Sequence, residues 1–223
     1  MVKFPVILYE DNHLIAVEKP AGLPMEPGGK SPKNLLDEVK SFIKTRDHKP
    51  GRVFLGLVHR LDRPVSGVVL FAKTSKAAAR LSAQFRLHTV EKIYHALVET
   101  GGSVPPKGWQ TLEQFITKEE PGKCVRVSEN GESKGQKAVM KFCFLKERHG
   151  KALVEIKPLT GRPHQIRAGL SSRGFPILGD GLYGSTEAYN KGIALHAMSL
   201  SFEHPTTKER VYIESVGDLS EQI

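Results

Sequence analysis

The segment Val58-His59-Arg60-Leu61-Asp62-Arg63-Pro64-Val65-Ser66-Gly67 sets a carboxylate between two arginines in a short polar connection. Flanking cations keep such an acid ionised. The apolar runs on either side, Val53 to Val58 and Val68 to Ala72, read as buried strands that fix where it sits. A positioned, ionised carboxylate can attack an electrophilic carbon or take a proton. The same residues also suit an ordinary turn with surface ion pairs. Further along, Arg162, His164 and Arg167 form a second basic cluster. A buried ionised Asp needs a cationic partner, and Arg167 is a candidate that only the fold could bring to Asp62.

Other chemistries find no anchor. Gly28-Gly29-Lys30-Ser31 precedes a helical stretch as a phosphate loop would, but the required earlier glycine position is Pro24. Among the nine histidines, His59, His164, His196 and His204 lack the spacing of a local zinc motif, so no metal site is expected. Pro64-Val65-Ser66-Gly67 lacks the first glycine of a nucleophile elbow. Cys124 and Cys143 have neither zinc nor redox spacing and suit a reducing cytosol.

The elements that must hold these residues can be read from periodicity. Val6 to Lys19 predicts a β-hairpin turning at Asp11-Asn12. Leu35, Leu36, Val39, Phe42 and Ile43 form one stripe of an amphipathic helix, with Ser31 as cap and Pro32 in its first turn. A second helix is expected over Ser75 to Leu87 with a serine cap, and a strand over Lys92 to Val98. Gly101 to Lys137 is rich in Gly, Pro and charge and reads as loops. Strands follow at Val139 to Leu145 and Ala152 to Ile156, joined by a basic turn over Lys146 to Lys151. A turn beginning at Leu159 opens a short helix, and strands return at Leu195 to Phe202 and Arg210 to Glu214. Hairpins and short helices without regular βα alternation give an α+β class with a mixed, largely antiparallel sheet.

At 223 residues, 39% apolar and 26% charged, the chain has the composition of one ordinary globular domain. Its longest apolar run, Val68 to Ala72, is far short of the ~18 residues of a membrane helix, and no signal peptide is visible. The charge is more informative. Lys and Arg number 33 against 24 Asp and Glu, a net +9, the footprint of a nucleic-acid binder.

Several motifs in order resemble the RluA family of RNA pseudouridine synthases: Glu18-Lys19-Pro20-Ala21-Gly22-Leu23, His59 to Gly67, Lys92-Ile93-Tyr94, and Leu159-Thr160-Gly161-Arg162-Pro163-His164-Gln165-Ile166-Arg167. The likeness continues through Gly174 to Asp180, Leu182-Tyr183-Gly184, Ala194 to Ala197 and Phe202 to Pro205, so it spans Ile7 to Ile213. It implies a sheet in two halves with flanking helices and an RNA-binding cleft. It also implies isomerisation of uridine to pseudouridine in ribosomal or transfer RNA, without metal or cofactor; the cysteine usage points to the cytoplasm. Carried onto this sequence, Asp62 is the catalytic carboxylate, Tyr94 packs against the target base, Arg167 pairs with Asp62, and Arg60 helps displace the nucleotide from its stack. His59, Lys19, Arg162, His164, Gln165 and Leu200 would line the substrate site.

Alternatives stay open for the supporting residues. Tyr94 also suits a cross-strand aromatic, Lys19 and Arg162 a backbone cap, and Leu200 the core. Two positions depart from the family pattern: Val65 stands where threonine is common, and Ala168-Gly169-Leu170 follows Arg167 where a histidine usually comes. The resemblance begins almost at the start of the sequence, so a single catalytic domain over 1–223 without a separate N-terminal RNA-binding domain is expected, as a monomer. The competing readings are an RNA-binding protein independent of catalysis, and a hydrolase releasing uracil or phosphate.

Overall fold

The structure, a computed structural model, describes residues 5–28, 33–102, 105–118, 124–129, 135–190, 192–217 and 219. They form two compact units, residues 1–91 with 197–217, and residues 92–196 with 218–223.

In the first unit, β1 (Ile7–Glu10) and β2 (Leu14–Lys19) form the expected hairpin, and β2 pairs with β4 (Ser66–Ala72). Near-continuous burial along β2 and β4 marks both as central strands. The antiparallel register sets Lys19 opposite Gly67, so the end of β2 lies beside the residues that lead into β4. The strand expected at Val53 to Val58 shrinks to β3 (Gly56–Leu57), paired with β4. Strand β10 (Leu195–Glu203) carries β11 (Arg210–Glu214) on it.

Two helices belong to this unit. Helix α1 (Leu35–Arg46) buries Leu35, Val39 and Ile43 at i, i+4 and i+8. Its cap is Asn34, which accepts from the Asp37 amide, rather than the expected Ser31, which with Pro32 and the Gly29 to Ser31 loop lies outside the described residues. Helix α2 (Ser75–Arg86) is capped by Thr74, one residue before the expected serine. Leu14, Val58, Val68, Leu70, Leu81, Leu200 and Phe202 share one core.

The second unit is a sheet in the order β5-β9-β8-β6-β7, every pair antiparallel. Its strands are β5 (Glu91–Glu99), β6 (Gln110–Lys118), β7 (Val125–Ser128), β8 (Gln136–Arg148) and β9 (Lys151–Pro158). Strands β6 and β7 correct the expectation of loops across Gly101 to Lys137: one face of β6 is solvated, so apolar residues such as Leu112 and Ile116 recur too sparsely to show among charges. The basic turn narrows to His149-Gly150, both at positive φ, because β8 runs on to Arg148. Helix α3 (Gln165–Ser172) packs its small Gly169 against the sheet, where an added Cβ would stand 2.8 Å from Met140 Cε and 2.9 Å from Gln114 Nε2. Among the described residues no helix is long and apolar enough to cross a membrane.

Candidate active site

In the first unit the Asp62 loop is assembled around a lysine. Lys19 has no exposed surface, and its ammonium donates to the carbonyls of Pro20, Arg63 and Val65 at 3.1, 3.0 and 2.6 Å. Three donors meet three acceptors, so the charge is buried without an orphaned N–H. Burial pushes this ammonium down to about 8, opposed by the negative charge of Asp62. Lys19 is thus a backbone clamp, one of the two roles its sequence allowed. The Gly22 amide donates to the Arg63 carbonyl at 2.8 Å and Arg63 Nε donates back to Gly22 at 3.0 Å, lacing the 20–22 and 63–65 segments together. The Asp62 carbonyl accepts from Val65, closing a tight turn that leaves Asp62 half-buried.

His59 supports the same loop from beneath. Its ring stacks on Phe85 at 4.7 Å, and its Nε2 accepts from the Leu70 amide at 2.9 Å. Arg60 points the other way: 67% of its side chain is exposed, and it pairs with Glu26 at 2.6 Å. A surface pair of this kind contributes only about 0–1 kcal/mol, so Glu26 is readily exchanged for another anion. Leu200, 2% exposed, sits in the core of this unit.

The second unit holds the other cluster. Arg167 lies on α3, 5% exposed, and grips Asp180 with two nitrogens at 2.7 and 2.8 Å while its guanidinium lies 5.0 Å from the Tyr183 ring. The fork fixes the plane of the guanidinium. Gln165 staples the turn before α3: its Oε1 accepts from Thr160 Oγ1 at 2.7 Å and from the Arg162 amide at 3.0 Å, and its Nε2 donates to Val139. Arg162 Nε donates to the Lys137 carbonyl. His164 takes the left-handed conformation at φ 52°, and its Nδ1 lies 2.8 Å from the Tyr183 hydroxyl, which also accepts from the Val125 amide. Tyr94 stands on β5 opposite Ile156, half-buried.

Two residues escaped the sequence reading. Asp180, the partner of Arg167, lies on a separate turn, and nothing in its spacing from Arg167 signals the contact. Lys92 shares a strand face with Tyr94, and burial alone lowers its ammonium.

A family model described as RNA pseudouridylate synthase matches residues 13–172, a span that includes every residue of both clusters except Asp180, Tyr183 and Leu200. The dual-specificity RNA pseudouridine synthase RluA of Vibrio cholerae is 32% identical over 206 residues, covering 89% of this chain and 77% of the relative. The chain belongs to the RluA family of RNA pseudouridine synthases. Ribosomal large subunit pseudouridine synthase C of the same organism is 33% identical over 216 residues, or 94% of this chain, which spans 64% of that relative's length. Among solved structures, human RNA pseudouridylate synthase domain containing 4 superposes with a TM-score of 0.76 at 25% identity, covering 94% of this chain and 87% of that one. The α+β fold in two halves is therefore that of the RluA family. Its motifs fall on the two clusters: the Asp62 loop with its lysine clamp, and the turn into α3 with Arg167.

Proposed function

We propose that this chain isomerises uridine to pseudouridine in ribosomal or transfer RNA, with Asp62 as the catalytic carboxylate and the two units acting as one catalytic domain in the cytoplasm. The observation that carries this is the Asp62 loop itself. A lysine with no exposed surface spends all three donors on the carbonyls around one aspartate, an arrangement with little purpose other than to hold that carboxylate still.

In the reaction the C1′–N1 glycosidic bond breaks, the uracil rotates, and a C1′–C5 bond forms. The C5 proton leaves to solvent and N1 gains one, so atoms balance without oxidant or cofactor. Asp62 either attacks C1′ or takes the 2′ proton in the first step. The target nucleotide must first leave its stack at a cost of about a few kcal/mol. Exposed Arg60, which can exchange Glu26 for a phosphate, is suited to displace it, and Tyr94 to receive the freed base. Arg167, its plane set by Asp180, is the cation this reading assigns to Asp62. Lys19, His59, Arg162 and Gln165 contribute by holding backbone, His164 by fixing the Tyr183 hydroxyl, and Leu200 by packing beneath.

The test is tritium release from RNA labelled at uridine C5, taken from cells lacking this gene, with wild-type protein and Asp62→Asn in parallel. Release by the wild type alone is expected. Equal release by both would remove Asp62 from the chemistry, binding without release by either would leave an RNA-binding protein, and free uracil in the products would mark a hydrolase.

A further inference from the structure

We propose that Lys92 binds a backbone phosphate of the RNA beside the target uridine, an inference that rests on the function proposed above. Lys92 and Tyr94 are i and i+2 on β5, so their side chains leave the same face of the strand about 7 Å apart. That separation is of the order of the distance from a nucleobase to its own backbone phosphate.

The environment of the ammonium argues for an anion from outside the protein. Its stem is half-buried, and its Nζ lies 3.9 Å from where a Cβ would stand on Gly161, an exposed residue with no side chain in the way. Every other cation of the two clusters has a protein acceptor: three carbonyls for Lys19, Glu26 for Arg60, Lys137 O for Arg162 and Asp180 for Arg167. Among the described residues Lys92 has none, and burial is the sole influence on its charge. A compact, strongly hydrated ammonium stripped of part of its water gains most from a phosphate oxygen arriving along the open side. Gly161 begins the Arg162, His164 and Gln165 turn, so a phosphate there would also touch the backbone that leads into α3.

A lysine that merely covers apolar surface with its stem and keeps its head in water would have the same exposure. Binding separates the two. Asp62→Asn protein, which cannot turn over, is titrated against in vitro transcribed, unmodified large-subunit ribosomal RNA across a range of salt. Adding Lys92→Gln or Lys92→Met is expected to weaken binding and to reduce the slope of log K against log salt by about one, while Lys92→Arg keeps it. Two neutral variants guard against one that folds poorly, with circular dichroism as the check. An unchanged slope in a folded neutral variant overturns the proposal. Tritium release by the wild type with an unchanged slope sinks the phosphate contact alone. A reduced slope with no release sinks the proposed activity and leaves the contact standing.

Discussion

A lysine with no exposed surface is an unusual choice for an interior, and its behaviour with pH should reveal what it does. The ammonium of Lys19 sits near 8 in the folded chain against 10.5 when solvated, so between those values the unfolded chain binds the extra proton. Stability therefore rises with pH across that window by about 3 kcal/mol from this group, and its cost is fully present below 8. Urea midpoints measured at pH 7, 8, 9 and 10 should show this rise in the wild type and not in Lys19→Met; parallel curves would mean that the ammonium is not held as described. The same variant takes the Lys19 donor from the Pro20 and Val65 carbonyls and leaves Arg63 O with the Gly22 amide alone, and a loop displaced by about 1 Å should lose about 10²-fold in kcat/KM with Asp62 still present. The sequence showed Asp62 as a candidate because its flanking arginines and apolar borders are local. It left Lys19 between substrate-site residue and backbone cap, since only the β2–β4 register brings it to the loop.

At the scale of elements, strands and helices with a buried stripe were legible, and their ends were not. The hairpin, α1, β5, β9 and β11 fall where the apolar pattern puts them, because α1 and β11 bury one regular face while β2 and β9 are apolar runs buried along most of their length. Caps moved by one to three residues, as Asn34 and Thr74 made the bonds that Ser31 and Ser75 were expected to make. The pairing of Arg167 with Asp180 was illegible because it joins a helix to a distant turn. Its weight can be measured. Asp180→Asn leaves a buried guanidinium short of its anion and should cost about 3–5 kcal/mol in urea unfolding, whereas Arg167→Met with Asp180→Leu should regain most of that stability yet stay inactive. Activity in the double variant would make the pair purely structural. Gly67 tests the join of two strands: at φ 116°, a Cβ there would meet the backbone of Ala197 at 2.3 to 2.8 Å. Gly67→Ala should therefore lose about 3 kcal/mol or more, and a change under 1 kcal/mol would show that β4 and β10 can part without penalty.

For the whole molecule, the net charge of +9 and the single carboxylate are separable quantities, one for holding RNA and one for changing it. Binding that rests on neutralised phosphates follows counterion release, so log K should fall linearly with log salt, by about 10³ to 10⁵ between 50 and 200 mM if six to ten phosphates are engaged. Asp62 lies in a loop whose cations already have partners: Glu26 for Arg60, and Gly22 O for the Nε of Arg63. Replacing it by Asn removes one negative charge from the protein without removing a phosphate contact. Asp62→Asn should therefore bind unmodified ribosomal RNA at least as tightly as the wild type, with the same salt slope, while tritium release falls to background. A slope that changes with Asp62 would place the aspartate within the phosphate-binding surface rather than at the sugar. A weak slope in both proteins would deny the charge its assigned purpose, because a +9 surface that does not release counterions is not the one that holds the RNA.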